Sequence, residues 1–251
     1  MFRDSRPVRF ASLCGWLTAI VFFIVGLVET LRFTRWNPYA KTDWSAMLRS
    51  LQPRAGGDFV LHSFIFCVCL AGLFFLLALG SRIYQTHPTT TVTGLGFLGV
   101  PLVLMGIYNV WLAFGHDMLV LQYQRTQETG LQYLYQAGLF GLPYMAALVA
   151  YFGFWGFVFL GYAFGAQRRA LGLRGWCWAS AAGLIWSIVV SFYGYHQIYA
   201  ANFFPRTLMI FGDLGLWILP TITLAISASW LWTQSRLAMV QPVRPEVSKA
   251  A

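Results

Sequence analysis

The chain has 251 residues, of which 58% are hydrophobic and only 10% are charged, and its formal net charge is +9. A soluble domain carries about 25% charged residues, so this composition excludes a water-covered globule and predicts a surface covered by lipid. The basic residues lie in short segments between apolar runs. That placement favours lipid headgroups over nucleic acid as their partner.

Six apolar runs follow one another along the chain and leave no room for a soluble domain. A hydrocarbon core about 30 Å thick requires about 20 apolar residues per helix, and each run is long enough. We therefore predict an all-α fold, a polytopic transmembrane bundle of six helices that forms a single domain over residues 1–251. The predicted spans are residues 11–31, 59–79, 94–114, 134–164, 176–195 and 208–232.

The distribution of arginine and lysine predicts that both termini are cytoplasmic. In that orientation the inner segments hold ten basic residues and the outer segments seven, of which five lie in the long loop after the first span. In this loop Trp44, Met47, Leu48 and Leu51 share one helix face, so we predict a short helix on the outer membrane surface. A lid over an outer cavity is the alternative. We expect a multi-pass protein of the cell membrane, of the bacterial inner-membrane type.

Histidines and aspartates gather at the outer ends of the predicted spans. His62 begins span two, while His116 and His196 end spans three and five. Imidazole binds zinc, copper and iron, and a carboxylate commonly orients a ligating histidine, so the outer layer is a candidate transition-metal site. A histidine pair could instead hold a haem, or the same groups could relay protons. The candidate metal ligands are His62, His116, His196, Asp58, Asp117 and Asp213.

The deepest polar groups in the predicted spans are Asn109 and Asp213. Asn109 lies seven residues before His116, so the two share a face of span three. A polar side chain inside the hydrocarbon region usually faces the bundle interior. We therefore expect Asp213 to face inward and to find a partner among His116, His196 and Tyr193.

The outer polar layer also has an interpretation without any ligand. Histidine is amphipathic, and six helix ends collect polar residues at the headgroup level without forming a site. Neither a P-loop nor the motifs G-x-S-x-G and H-E-x-x-H occur in the sequence, so we assign no catalytic residue. The first interpretation is a non-catalytic membrane protein or membrane-complex subunit. The alternatives are transition-metal or haem binding with redox chemistry, and a proton or small-solute path.

Small residues and tryptophans predict how the helices pack and where they meet the membrane surface. Gly161 and Gly165, and likewise Ala179 and Gly183, are four residues apart, which favours close helix contact. The four cysteines form no C-x-x-C pair, so we predict free thiols. An interfacial aromatic belt is predicted at Trp36, Trp44, Trp176, Trp178, Trp230 and Trp232.

Three resemblances to known families arise from this layout. The stretch "FGFWGFVFLGYAFGAQRRALGLRGWCWASAAGLIW" resembles six-helix bacterial membrane proteins of unknown function, which implies the fold and no activity. The positions of His62 and His196 resemble those in the haem-handling membrane subunit of cytochrome c maturation, which implies axial haem ligands. That similarity is partial, because the tryptophan-rich signature of the family is missing from the loop between spans three and four.

The third resemblance is to the C subunit of copper membrane monooxygenases, which have an outer aspartate–histidine helix site. Asp58 and His62 match its D-x-x-x-H spacing. The family has a further histidine where this chain has Phe75, so the copper site is not carried over.

Overall fold

The computed structural model describes residues 5–35, 57–84, 87–165, 171–199 and 214–240. Within these ranges the chain is helical almost throughout and contains no strand, which confirms the all-α prediction. Two π-helical turns, Leu112–His116 and Leu214–Ile218, interrupt the α-helices. The α-helices are α1 Ser5–Arg35, α2 Gly57–Ile83, α3 Pro88–Trp111, α4 Asp117–Thr126, α5 Thr129–Gly165, α6 Leu171–Tyr199 and α7 Leu219–Val240.

Six helices in the described part of the chain are long and apolar enough to cross a membrane, as the sequence predicts. An α-helix satisfies its own backbone hydrogen bonds, which is what a chain in hydrocarbon requires. The spans are Arg6–Val28, Phe59–Ile83, Pro88–Thr126, Ala147–Gly165, Gly172–Val190 and Gly215–Arg236.

The membrane-spanning helices pack in chain order, and the last returns to the first, so that they form a closed ring. Neighbours run antiparallel. The starts of α1, α3 and α6 and the ends of α2, α5 and α7 therefore lie at one end of the ring, which we call the terminal end. Phe164 of α5 reaches past α6 to meet Trp230 of α7 edge-on, with ring centroids 5.6 Å apart. Phe75 and Phe164 are among the largest fully buried side chains, so aromatic rings fill part of the interior.

The third helix continues past residue 114, where the predicted membrane span ends. The helix continues through the π-helical turn into α4, and the whole run Pro88–Thr126 has 39 residues. At 1.5 Å per residue it is about 58 Å long, against a hydrocarbon core of about 30 Å. Within α4, Val120 and Tyr123 are buried, so tertiary packing stabilises the extension.

The start of α5 runs back alongside α4 and completes a helical hairpin. Only Gln127 and Glu128 separate the two helices, and Gln127 adopts a positive φ of 56° that allows so tight a turn. Helix α5 has 37 residues, again more than one bilayer crossing requires. At the end opposite the terminal end, the hairpin is therefore longer than one bilayer crossing requires.

Glycines set the closest helix approaches. A Cβ added at Gly215 would lie 2.4 Å from the Gly183 carbonyl oxygen, so α6 touches the turn before α7 backbone to backbone. A Cβ at Gly161 would lie 3.3 Å from the Trp178 ring of α6. The predicted close helix contacts at Gly161 and Gly183 are thereby confirmed. The predicted free thiols are confirmed as well, since all four cysteines are unpaired.

Candidate functional site

Of the six predicted metal ligands, the structure describes the side chain of His62. Asp213 lies outside the described residues, as does the predicted surface helix around residues 44–51. The remaining ligands lie on described helices, but their side chains are outside the described part of the structure. These are Asp58, His116, Asp117 and His196.

His62 pairs with the asparagine that the sequence places deepest in span three. The Nδ1 atom of His62 on α2 lies 2.8 Å from Oδ1 of Asn109 on α3. Asn109 is buried with 4% of its surface exposed, and His62 is half-buried. The Nδ2 atom of Asn109 donates to the carbonyl oxygen of Met105, one turn earlier, at 2.8 Å. The pair thus connects two neighbouring helices, and both the oxygen and the NH₂ group of the asparagine amide have a hydrogen-bond partner.

This arrangement fixes the tautomer of the histidine. A carbonyl oxygen only accepts, so the NH₂ group of Asn109 faces Met105 and its oxygen faces His62. The Nδ1 atom of His62 must therefore carry the proton. In the neutral ring the lone pair then lies on Nε2, which is the nitrogen left to accept a proton or to bind a metal.

Close packing around the pair holds the two helices in this register. Gly106 lies one turn before Asn109, and a Cβ there would be 3.4 Å from Phe66 and 3.7 Å from Cys69 on α2. On the other side of the pair, the rings of Phe59 and Phe114 meet edge-on with centroids 5.1 Å apart. The imidazole is thus set between a tight helix crossing and an aromatic contact.

A π-helical turn begins three residues after Asn109. Such a turn adds one residue to the helix while the backbone remains hydrogen-bonded, and π-helical turns are frequent at functional sites. The turn Leu112–His116 changes which residues of the following segment share a face with Asn109. Seven-residue spacing therefore no longer places His116 directly above Asn109.

The described residues contain no group of three or more histidine, cysteine, aspartate or glutamate side chains that could hold a metal ion. The side chains of His116 and His196 are outside the described part, so this finding does not test the predicted cluster. The metal or haem cluster stays a prediction from the sequence.

A second polar set, which sequence reasoning missed, joins helices inside the ring. The Ser12 hydroxyl on α1 donates to the Ala228 carbonyl on α7. Thr18 donates to Cys14 O at 2.8 Å and to Val68 O on α2 at 3.3 Å. All these hydroxyl groups lie in mid-span, where their only sequence signal is a polar residue within an apolar run.

The same kind of contact joins α6 to α7. The hydroxyl oxygens of Ser180 and Thr223 are 2.7 Å apart, and Thr223 Oγ1 also lies 3.1 Å from the Trp176 carbonyl oxygen. Both residues are fully or almost fully buried. These hydrogen bonds satisfy polar groups that would otherwise be exposed to hydrocarbon.

At the terminal end, two arginines meet one tryptophan of the predicted aromatic belt. The guanidinium carbon of Arg9 on α1 lies 5.7 Å from the ring centroid of Trp232 on α7. The guanidinium carbon of Arg236, one turn after Trp232, lies 5.6 Å from the same centroid. Both distances are in the range of cation–π attraction.

Comparison with known proteins identifies no relative of this chain. No family model matches the sequence, and no curated protein and no solved structure matches it. The three family resemblances stay predictions from the sequence, and the functional argument rests on the geometry.

Proposed function

We propose that this chain is a non-catalytic integral membrane protein or the membrane subunit of a larger complex. The observation that supports the proposal is that the buried hydroxyl groups form hydrogen bonds between helices. Ser12, Thr18 and the Ser180–Thr223 pair each connect two neighbouring helices. Their polar atoms are directed at carbonyl oxygens or at each other, which serves helix association and not passage of a solute.

The hairpin formed by α4 and the start of α5 supports the proposal that this chain is a subunit of a larger complex. Phe114 and Met118 lie four residues apart, on either side of the π-helical turn's end, and are 59% and 65% exposed. They belong to the part of the run Pro88–Thr126 that exceeds the length of one bilayer crossing. A second membrane protein packed beside the hairpin would cover them.

The proposal is tested by substitutions that separate packing from chemistry. Ser12→Ala and Thr18→Val should lower the stability of the purified protein, whereas His62→Gln should leave its composition and its absorption spectrum unchanged. A metal or chromophore that the wild type holds and His62→Gln loses would overturn the non-catalytic proposal.

One observation favours a second candidate, transition-metal or haem binding with redox chemistry. Asn109 holds the proton on Nδ1 of His62 and so leaves Nε2 as the ligating atom, as metal-binding histidines require. His116 and His196 would be the further ligands, with Asp58, Asp117 and Asp213 as orienting or ligating carboxylates. A bound metal or haem would supply electron transfer, while this chain's own residues would orient the ring and exclude water.

The same preparation decides between the two candidates. Protein purified in mild detergent without chelators should be measured for its ultraviolet–visible spectrum and its metal content. Near-stoichiometric copper, iron or zinc, or a Soret band, that falls in both His62→Gln and His116→Gln supports the ligand site. A clean spectrum without metal contradicts it. No described contact favours the proton or small-solute path, which stays a prediction of the sequence.

For the orientation we propose that both termini face the cytoplasm of a bacterial-type inner membrane. Apart from the long first loop, ten basic residues would then lie inside and two outside, which is the asymmetry that sets topology. Reporter fusions test this directly. A periplasm-specific reporter fused after Val240 should be inactive, and the same reporter in the connection at residue 127 should be active.

A further inference from the structure

Five arginines with described side chains lie at the terminal end of the ring, and none of the described side chains at that end is acidic. They come from every long helix that starts or ends there except α3 and α5. The described side chains at this end therefore carry five positive charges and no negative one. The five are Arg6, Arg9, Arg82, Arg174 and Arg236.

Three of these arginines belong to helices that pack side by side. Helix α1 lies between α2 and α7. Gly15 of α1 faces Phe75 of α2. Toward the terminal end, Arg9 lies six residues further along α1 and Arg82 seven residues further along α2, so the antiparallel register brings them level to within about one residue's rise. Trp232 and Arg236 reach the same level from α7, because Arg9 stacks over Trp232.

Two like charges lie against the same tryptophan ring. Each guanidinium carbon is under 6 Å from one ring centroid, so Arg9 and Arg236 lie within about 11 Å of each other. At this level Arg82 keeps its Nε atom buried without a hydrogen-bond partner among the described residues. Neighbouring guanidinium groups at one level are suited to an anion with several oxygen acceptors.

We propose that Arg9, Arg82 and Arg236 bind the phosphate group of an anionic phospholipid headgroup at the terminal end. The position fits a lipid because Trp232 marks the membrane interface, where indole rings prefer to lie. Phosphate oxygens accept hydrogen bonds from guanidinium groups in a bidentate manner. The headgroup would offset the repulsion between Arg9 and Arg236. This site is separate from His62 and does not depend on the function proposed above.

The test uses the full-length protein, delipidated in mild neutral detergent. Phosphatidylglycerol should raise the midpoint of thermal unfolding, followed by tryptophan fluorescence, much more than phosphatidylcholine does. In Arg9→Gln/Arg236→Gln the apparent affinity for phosphatidylglycerol should fall roughly thirty-fold, the loss expected for two basic residues at a membrane surface. Arg125→Gln is the matched control, because Arg125 is exposed and lies at the opposite end of the ring.

Two further measurements keep the proposal testable if the double variant does not fold. Arg9→Lys/Arg236→Lys keeps both charges and should retain most of the preference for phosphatidylglycerol. Native mass spectrometry of the wild type in an equal mixture of the two lipids should show retained phosphatidylglycerol. Equal retention of both lipids, or unchanged affinity in the glutamine variant, would overturn the proposal. Stabilisation by inorganic phosphate at the same concentration, without any effect of phosphatidylglycerol, would overturn the lipid source and assign a free phosphate.

Discussion

Replacing Gly215 by alanine tests the closest helix contact in the structure. The new Cβ would lie 2.4 Å from the carbonyl oxygen of Gly183 and 3.0 Å from its carbonyl carbon. Normal van der Waals contact requires the two backbones to separate by roughly 1 Å. Because backbone atoms cannot rotate away as a side chain can, we expect a cost in the upper part of the about 1–3 kcal/mol typical of overpacking.

The higher helix propensity of alanine offsets up to about 1 kcal/mol of this cost. We therefore expect Gly215→Ala to lower the free energy of unfolding by about 2 kcal/mol, measured by reversible unfolding in mixed detergent micelles with tryptophan fluorescence. Gly175→Ala is the control on α6, where an added Cβ meets nothing within 4 Å, and it should be neutral or stabilising. Equal stability of Gly215→Ala and Gly175→Ala would refute the close crossing.

Two further predictions concern the polar contacts. Thr223→Val removes the hydrogen bond to Ser180 and should cost about 1 kcal/mol in the same unfolding assay, whereas Thr233→Val should cost little, because Thr233 is exposed and bonds only within its own helix. Asn109→Leu removes the acceptor of His62, so ¹⁵N NMR of the neutral ring should change from the Nδ1-protonated tautomer to a mixture. A wild-type ring protonated on Nε2 would contradict the assignment.

The six spans could be predicted from the sequence because hydrophobic runs report directly on contact with lipid. Their ends could not, since a helix continues wherever its backbone remains hydrogen-bonded. The His116–Asp117 pair signals polarity and suggests an end, yet the helix passes through it and ends at Thr126. The packing of Val120 and Tyr123 that stabilises this extension depends on α5, which periodicity within one helix does not reveal.

The candidate site likewise could be predicted only in part, because the pattern within one helix does not show which residue of another helix lies beside it. The position of Asn109 deep within a predicted span identifies it as a candidate site residue. The seven-residue spacing, however, suggests that its neighbour is His116, whereas the structure shows that it is His62. The observed helix ends explain the pairing with His62. His62 lies 21 residues before Ile83, the end of α2, and Asn109 lies 21 residues after Pro88, the start of α3. Equal distances from a short connection place two residues of an antiparallel helix pair at the same level.

The return of the last helix to the first has a consequence for how the protein is made. During synthesis α1 leaves the ribosome early, but its face toward α7, which carries Ser12, has no neighbour until the final span is inserted. The same holds for the face of α6 that carries Ser180. A chain that lacks only α7 would present both hydroxyl groups to lipid, so these two faces are what would mark it as incomplete to membrane quality control.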